Sequence, residues 1–131
     1  MQIAAGLSGT AELLVGEEHT APSIGSGKVR VLATPVMINL IEAAALAAVE
    51  HLLQAGYQSL GTHLDVHHIA ATPVGMKVVA TARVIRVEGR TVAFAVEARD
   101  EKNLIGYGTH ERVVVNVAKF DDRVQRKLSK A

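Results

Sequence analysis

The longest stretch dominated by apolar residues runs from Ala33 to about Gln54, in the segment ATPVMINLIEAAALAAVEHLLQ. Too long for a strand, it predicts a single helix over 35–54. Thr34-Pro35 supplies its start, because a Thr hydroxyl can accept from an orphan backbone N–H while Pro in the first turn loses no hydrogen bond. Four segments rich in Val, Ile and Thr follow, at 57–72, 76–87, 91–99 and 104–117, and a shorter strand pattern lies at 11–15. Glu88-Gly89 and the run 100–103 read as hairpin turns, so consecutive strands are expected to pair antiparallel without crossover helices. One strand, one long helix and a run of four strands predict an α+β domain whose antiparallel sheet wraps the helix.

The remaining segments are punctuated rather than periodic. APSIGSGK brings Pro, Gly and Ser together, so residues 20–33 read as a mobile, lid-like loop. Residues 121–131 form a polar tail with Arg123, Arg126, Lys127 and Lys130, suited to an acidic partner or, more simply, to a solvated, fraying helix. With 131 residues there is room for one domain, 1–131, and no repeat competes with that reading.

Composition narrows the classes. Hydrophobic residues make up 49% and aromatic residues 3%, so the core must be built from small and β-branched side chains that pack closely. A formal charge of +1 provides no broad positive field, and nucleic acid is not expected as a partner. The absence of cysteine excludes disulfides, Cys-ligated zinc and a thiol nucleophile, and a cytoplasmic location is the expectation. The N-terminus lacks a basic start followed by a long apolar run, and the helix carries Asn39, Glu42, Glu50 and His51; neither a signal peptide nor a membrane span is expected.

The candidate chemistry lies on faces that ought to be apolar. Period two places Leu64, Val66, His68 and Ala70 on the inward face of one strand and His63, Asp65, His67 and Ile69 on the other. An inward His68 is either a satisfied core histidine or a group with a tuned pKa. His63, Asp65 and His67 are spaced as metal ligands can be, but the simpler reading is a solvated face, and no metal is expected. Glu42 has Ile38, Ala45, Leu46 and Val49 among its helical neighbours, yet it also shares an arc with Asn39, Glu50 and Gln54 that a wet stripe would explain. The expected site is where Glu42 meets His68. Thr34 lies about 12 Å along the axis from Glu42, so a site shared by those two requires a bend or a second chain.

Several motifs in order carry a resemblance: SLGTHLDVHHIAATPVG at 59–75, VEGR at 87–90 and GYGTHERVVV at 106–115, preceded by Thr34 and Glu42. The chain resembles the fluoroacetyl-CoA thioesterase family over about two thirds of its length. That resemblance implies a hotdog fold, a side-by-side homodimer that can pair further into a tetramer, no cofactor, and an acyl-CoA site at the dimer interface. It also implies that Thr34, Glu42 and His68 are catalytic and that Gly61 and Arg112 contact the substrate region, Arg112 having a structural ion pair or an exposed strand position as its alternative. The chemistry is coherent, because thioester hydrolysis needs an oxygen nucleophile, a donor for the developing oxyanion and a proton carrier. Two departures bear on substrate: residues 23–33 contain no phenylalanine where the fluoroacetyl-CoA enzyme has them, and Pro35 replaces a glycine. The expectation is therefore a short-chain acyl-CoA thioesterase without marked fluoro-selectivity. A non-catalytic hotdog dimer that binds acyl-CoA or another small ligand is the alternative.

Overall fold

The computed structural model describes residues 2–129. Strand β1, Ser8–Leu14, precedes a single 3-10 turn, a short helix α1, Ala21–Ile24, and the long helix α2, Thr34–Val49. Strands β2, Tyr57–His68, β3, Lys77–Glu88, β4, Thr91–Arg99, and β5, Leu104–Asn116, follow, and helix α3, Val117–Gln125, closes the chain. All five strands form one antiparallel sheet in the order β1-β3-β4-β5-β2. Helix α2 lies chiefly over β1 and β3, with lighter contact to β4 and β2. This is the expected helix wrapped by a sheet.

The core follows the two periodicities. Val78, Ala80, Ala82 and Val84 alternate inward along β3 and are fully buried, and they meet Met37, Ile41, Ala44, Ala45, Ala48 and Val49 of α2. Small residues let helix and sheet approach closely. A Cβ on Gly9 of β1 would lie 2.4 Å from the Ala48 nitrogen and 2.5 Å from the Ala44 oxygen, so only glycine fits there. By length and composition, residues 34–52 are apolar enough to cross a membrane, but the sheet of the same chain covers the apolar face of the helix.

Hairpins form at both expected turns, with Glu88 paired to Thr91 and Arg99 paired to Leu104. The pairing of consecutive strands fails between β2 and β3. Their connection carries Pro73, which lacks a donor, and Gly75 at φ +101°, and it is too long for a hairpin turn. It hydrogen-bonds instead to Leu32 and Val15, leaving β3 to pair with β1 and β2 to pair with β5. Strand β2 is thus an edge strand.

The lid-like segment is more ordered than its composition implied. A bridge between Thr20 and Leu32 closes its base, Ala33 N–H donates to the His19 carbonyl at 2.9 Å, and Leu32 N–H to the Thr72 carbonyl at 2.8 Å. Residues 22–30 between these anchors are exposed. At the C-terminus, Asn116 caps α3 by accepting from Lys119 N–H at 3.1 Å. Two of the basic residues noted there are engaged locally: Arg126 pairs with Asp122 at 2.7 Å, and Arg123 lies over the Phe120 ring. Lys130 lies outside the described residues.

Candidate active site

Thr34 begins α2 and His68 ends β2, and the two side chains meet, with Thr34 Oγ1 2.7 Å from His68 Nδ1. The expected capping role does not occur. Ala33 occupies the cap position and has no side-chain acceptor, so no side chain caps the first turn; Thr34 lies one position inside the helix, with its hydroxyl turned to the imidazole. His68 is half-buried, and burial pushes its pKa below the ordinary histidine value against the opposing influence of the Ala70 backbone. A neutral ring accepting the Thr34 proton at Nδ1 carries its own proton on Nε2. That Nε2 is shielded from solvent and has no hydrogen-bond partner among the described residues.

A second cluster forms two helical turns further on. Arg112, on the inward face of β5 and 5% exposed, directs Nη1 to Glu42 Oε2 at 3.1 Å and to His110 Nε2 at 3.2 Å. Its Nε–H donates to Ser59 Oγ at 2.8 Å and its Nη2–H to the Ser59 carbonyl at 3.0 Å. Ser59 in turn donates to Glu50, through its hydroxyl at 2.7 Å and its backbone N–H at 2.9 Å. Gly61 makes room for the group: a Cβ there would sit 2.5 Å from Glu42 Oε2 and 3.2 Å from His110 Cε1. Arg112 is therefore a buried ion-pair partner of Glu42 rather than an exposed strand residue, and Glu50 is held by β2 rather than lying on a wet stripe.

His110 is the residue that sequence reasoning passed over. It is fully buried, stacked on Phe94, and burial pushes its pKa below the ordinary value, helped by the Arg112 charge and opposed by the His63 backbone and Glu42. The signal was present, since Gly106, Gly108, His110, Arg112 and Val114 share the inward face of β5 at period two.

Within one chain, Glu42 and His68 do not meet. Glu42 belongs with Arg112, His110 and Gly61, and His68 with Thr34. It is Glu42, not Thr34, that stands apart from the histidine, because the rigid rise of α2 separates the two positions. The Thr34–His68 pair opens onto a groove of about 370 Å³ lined by the lid residues Ser26, Gly27, Lys28 and Val29 and by Ile69 and Ala71. Leu64, expected to face the core, is 41% exposed because α2 leaves this part of β2 uncovered. Among the described residues no three His, Asp or Glu side chains converge as a metal site, and His67 stacks on Tyr107 instead.

The family model described as fluoroacetyl-CoA-specific thioesterase matches residues 15–118. A fluoroacetyl-CoA thioesterase from Streptantibioticus cattleyicolor is 44% identical over 97 residues, covering 74% of this chain and 70% of that protein. The chain belongs to the fluoroacetyl-CoA-specific thioesterase family. Its hotdog fold agrees with solved members: the fluoroacetyl-CoA thioesterase FlK superposes with a TM-score of 0.91 at 35% identity, covering 97% of this chain and 98% of that one. A thioesterase superfamily member from Thermus thermophilus superposes at 0.92 with 31% identity, covering 99% and 97%.

Proposed function

We propose that the protein is an acyl-CoA thioesterase that hydrolyses short-chain acyl-CoA esters as a homodimer. The observation that carries this reading is the Thr34–His68 contact of 2.7 Å on an open groove lined by the lid, in a chain of thioesterase descent. A homodimer needs an exposed edge or face along which two copies can pair. The unpaired outer edge of the twelve-residue strand β2, with Leu60 and Leu64 exposed beside it, is a natural seam for that pairing.

In the assembled site, His68 and Thr34 of one subunit orient the thioester and move the proton, while Glu42 contributed across the seam acts as nucleophile or as base for an attacking water. Either route forms a C–O bond at the thioester carbon and expels the CoA thiolate, which takes up a proton; on the direct route water then hydrolyses the resulting mixed anhydride, releasing the acid and restoring the Glu42 carboxylate. Gly61 keeps the carboxylate accessible, and Arg112 holds one of its oxygens. The lid bears Lys28 and no aromatic residue, which favours small acyl groups in general over a fluorinated one in particular.

Free-thiol release from a panel of acetyl-, fluoroacetyl-, propionyl- and butyryl-CoA tests the reading. Wild type should turn over at least one ester more than about 100-fold faster than Glu42→Gln or His68→Ala, as loss of a positioned acid or base implies. Equal rates for all three would defeat it, and tight binding without turnover would identify a non-catalytic acyl-CoA-binding dimer. Light scattering at micromolar concentration should give a dimer; a monomer would remove the two-chain site.

A further inference from the structure

Arg112 has five N–H donors, and four are used inside the protein: one toward Glu42, one toward His110 and two toward Ser59. The His110 end of this network fixes its own protonation. Nδ1 lies 2.8 Å from the His63 carbonyl oxygen, which can only accept, so the ring proton sits on Nδ1. Nε2 is then a lone-pair acceptor for the Arg112 Nη1–H at 3.2 Å. Protonating Nε2 would set an N–H against an N–H and two cations in contact, inside a site where His110 is fully buried. The groups acting on the ring are Glu42 from α2, the carbonyl and the imidazole of His63 from β2, Arg112 from its own strand and the apolar face of Phe94 from β4.

The other side of Arg112 is braced in the same manner. Ser59 Oγ accepts from Arg112 Nε and donates to Glu50 Oε1, so the guanidinium reaches a second carboxylate through one hydroxyl. Arg112 therefore cannot swing without breaking bonds on both flanks, and the direction of Nη1 toward Glu42 is determined by residues that never touch Glu42 strongly themselves; His110 Nε2 is 4.0 Å from Glu42 Oε2.

We propose that His110, kept neutral with its proton on Nδ1, is a positioning residue that, with Ser59 and Glu50, clamps Arg112 so that Glu42 is held in its reactive orientation. The inference rests on the thioesterase reading for its kinetic readout. It assigns a role to three residues outside the Thr34, Glu42 and His68 set, and makes Arg112 act on the carboxylate rather than on the acyl group.

Three substitutions separate positioning from mere packing. His110→Asn keeps a donor near Nδ1 and loses the Nε2 acceptor, His110→Gln places an oxygen where Nε2 stood, and His110→Ala loses both. With folding verified by circular dichroism, Asn and Ala should lower kcat by about 10- to 100-fold with KM changed by less than about threefold, the scale of a misplaced reacting group. Gln should recover about tenfold of that loss. Combined with Glu42→Gln, His110→Asn should cost less than about twofold further, because the clamp has nothing left to orient. An undiminished His110→Asn penalty in the Glu42→Gln background, or no recovery with Gln, would overturn the proposal. Nitrogen-15 NMR of labelled histidine gives a reading that needs no turnover, so a wild type that hydrolyses no ester defeats the thioesterase reading alone. A neutral Nδ1–H ring for His110 at pH 7 is the expected result, and a proton on Nε2 at that pH refutes the clamp.

Discussion

Gly61→Ala tests whether the Glu42 cluster is as tightly packed as its distances imply. The new Cβ would fall 2.5 Å from Glu42 Oε2, 3.2 Å from His110 Cε1 and 3.5 Å from Arg112 Nη1. The first contact is too short to survive, and the atom it strikes is the far end of a flexible side chain, so Glu42 yields rather than the strand. The movement needed is roughly 1 Å, enough to stretch the 3.1 Å Arg112 contact beyond hydrogen-bond range. A hydrogen bond to a charged group contributes about 1.5–3 kcal/mol, and inserting a methyl group into a packed site costs about 1–3 kcal/mol. Glu42 keeps access to solvent, which recovers part of this, so the expected loss is about 1–3 kcal/mol, measured as a lowered urea midpoint at unchanged m-value. Turnover should fall by about 100-fold, since a displacement of that size at a reacting group has such an effect. Gly61→Ala with the wild-type midpoint and wild-type kcat would show that Glu42 is not held where the structure has it.

Thr34→Val should lower kcat by about 10- to 1,000-fold while Thr34→Ser keeps most of it, because only the hydroxyl meets His68; equal loss in both would mean the methyl group matters instead. Gly9→Ala should destabilise the fold by about 3 kcal/mol or more, since the new Cβ meets helix backbone at Ala44 and Ala48 that cannot turn aside, and a small shift in thermal unfolding would contradict that contact. Both His68 and His110 have pKa values lowered from 6.5, chiefly by burial. Below that value the unfolded chain binds more protons than the folded one, so their contribution to stability is complete above about pH 6.5 and is lost as pH falls toward their folded values. Urea midpoints should decline from pH 7.5 to pH 5, less steeply in His68→Gln, and a midpoint that rises over that range would reverse the sign of the reasoning.

How much of this was legible in the sequence depended on whether the signal was local. Helix α2 and the hairpins at Gly89 and 100–103 were readable because run length, Pro35 and turn residues act within a few positions. Strand partners were not, because the choice of β5 rather than β3 for β2 rests on where residues 69–76 are tied by Leu32 and Val15. The same division runs through the site. Period two turned His68 inward, but the capping role given to Thr34 failed because the helix starts one position earlier, at the Ala33 cap, and the Thr34 hydroxyl meets a residue 34 positions away. The wet-stripe alternative could not be set aside for Glu50 because its partner, Ser59, lies across a turn that no helical periodicity can see.

The separation of the two polar clusters follows from the same small-residue core that allows each to form. Close approach of α2 to the sheet, through Gly9 against the backbone of Ala44 and Ala48, accompanies the reach of Glu42 to Arg112 on β5. Aromatic residues at those contacts would lift the helix away and strain the ion pair, in keeping with a chain of 3% aromatic content. A helix packed that closely cannot bend, so its rise of about 12 Å between Thr34 and Glu42 becomes a fixed distance between the histidine pair and the carboxylate. The tight packing that presents Glu42 on a buried arginine thus also denies it His68 of the same chain. Chemistry that uses both groups therefore calls for the second copy of the proposed homodimer, with Glu42 of one subunit set against His68 of the other.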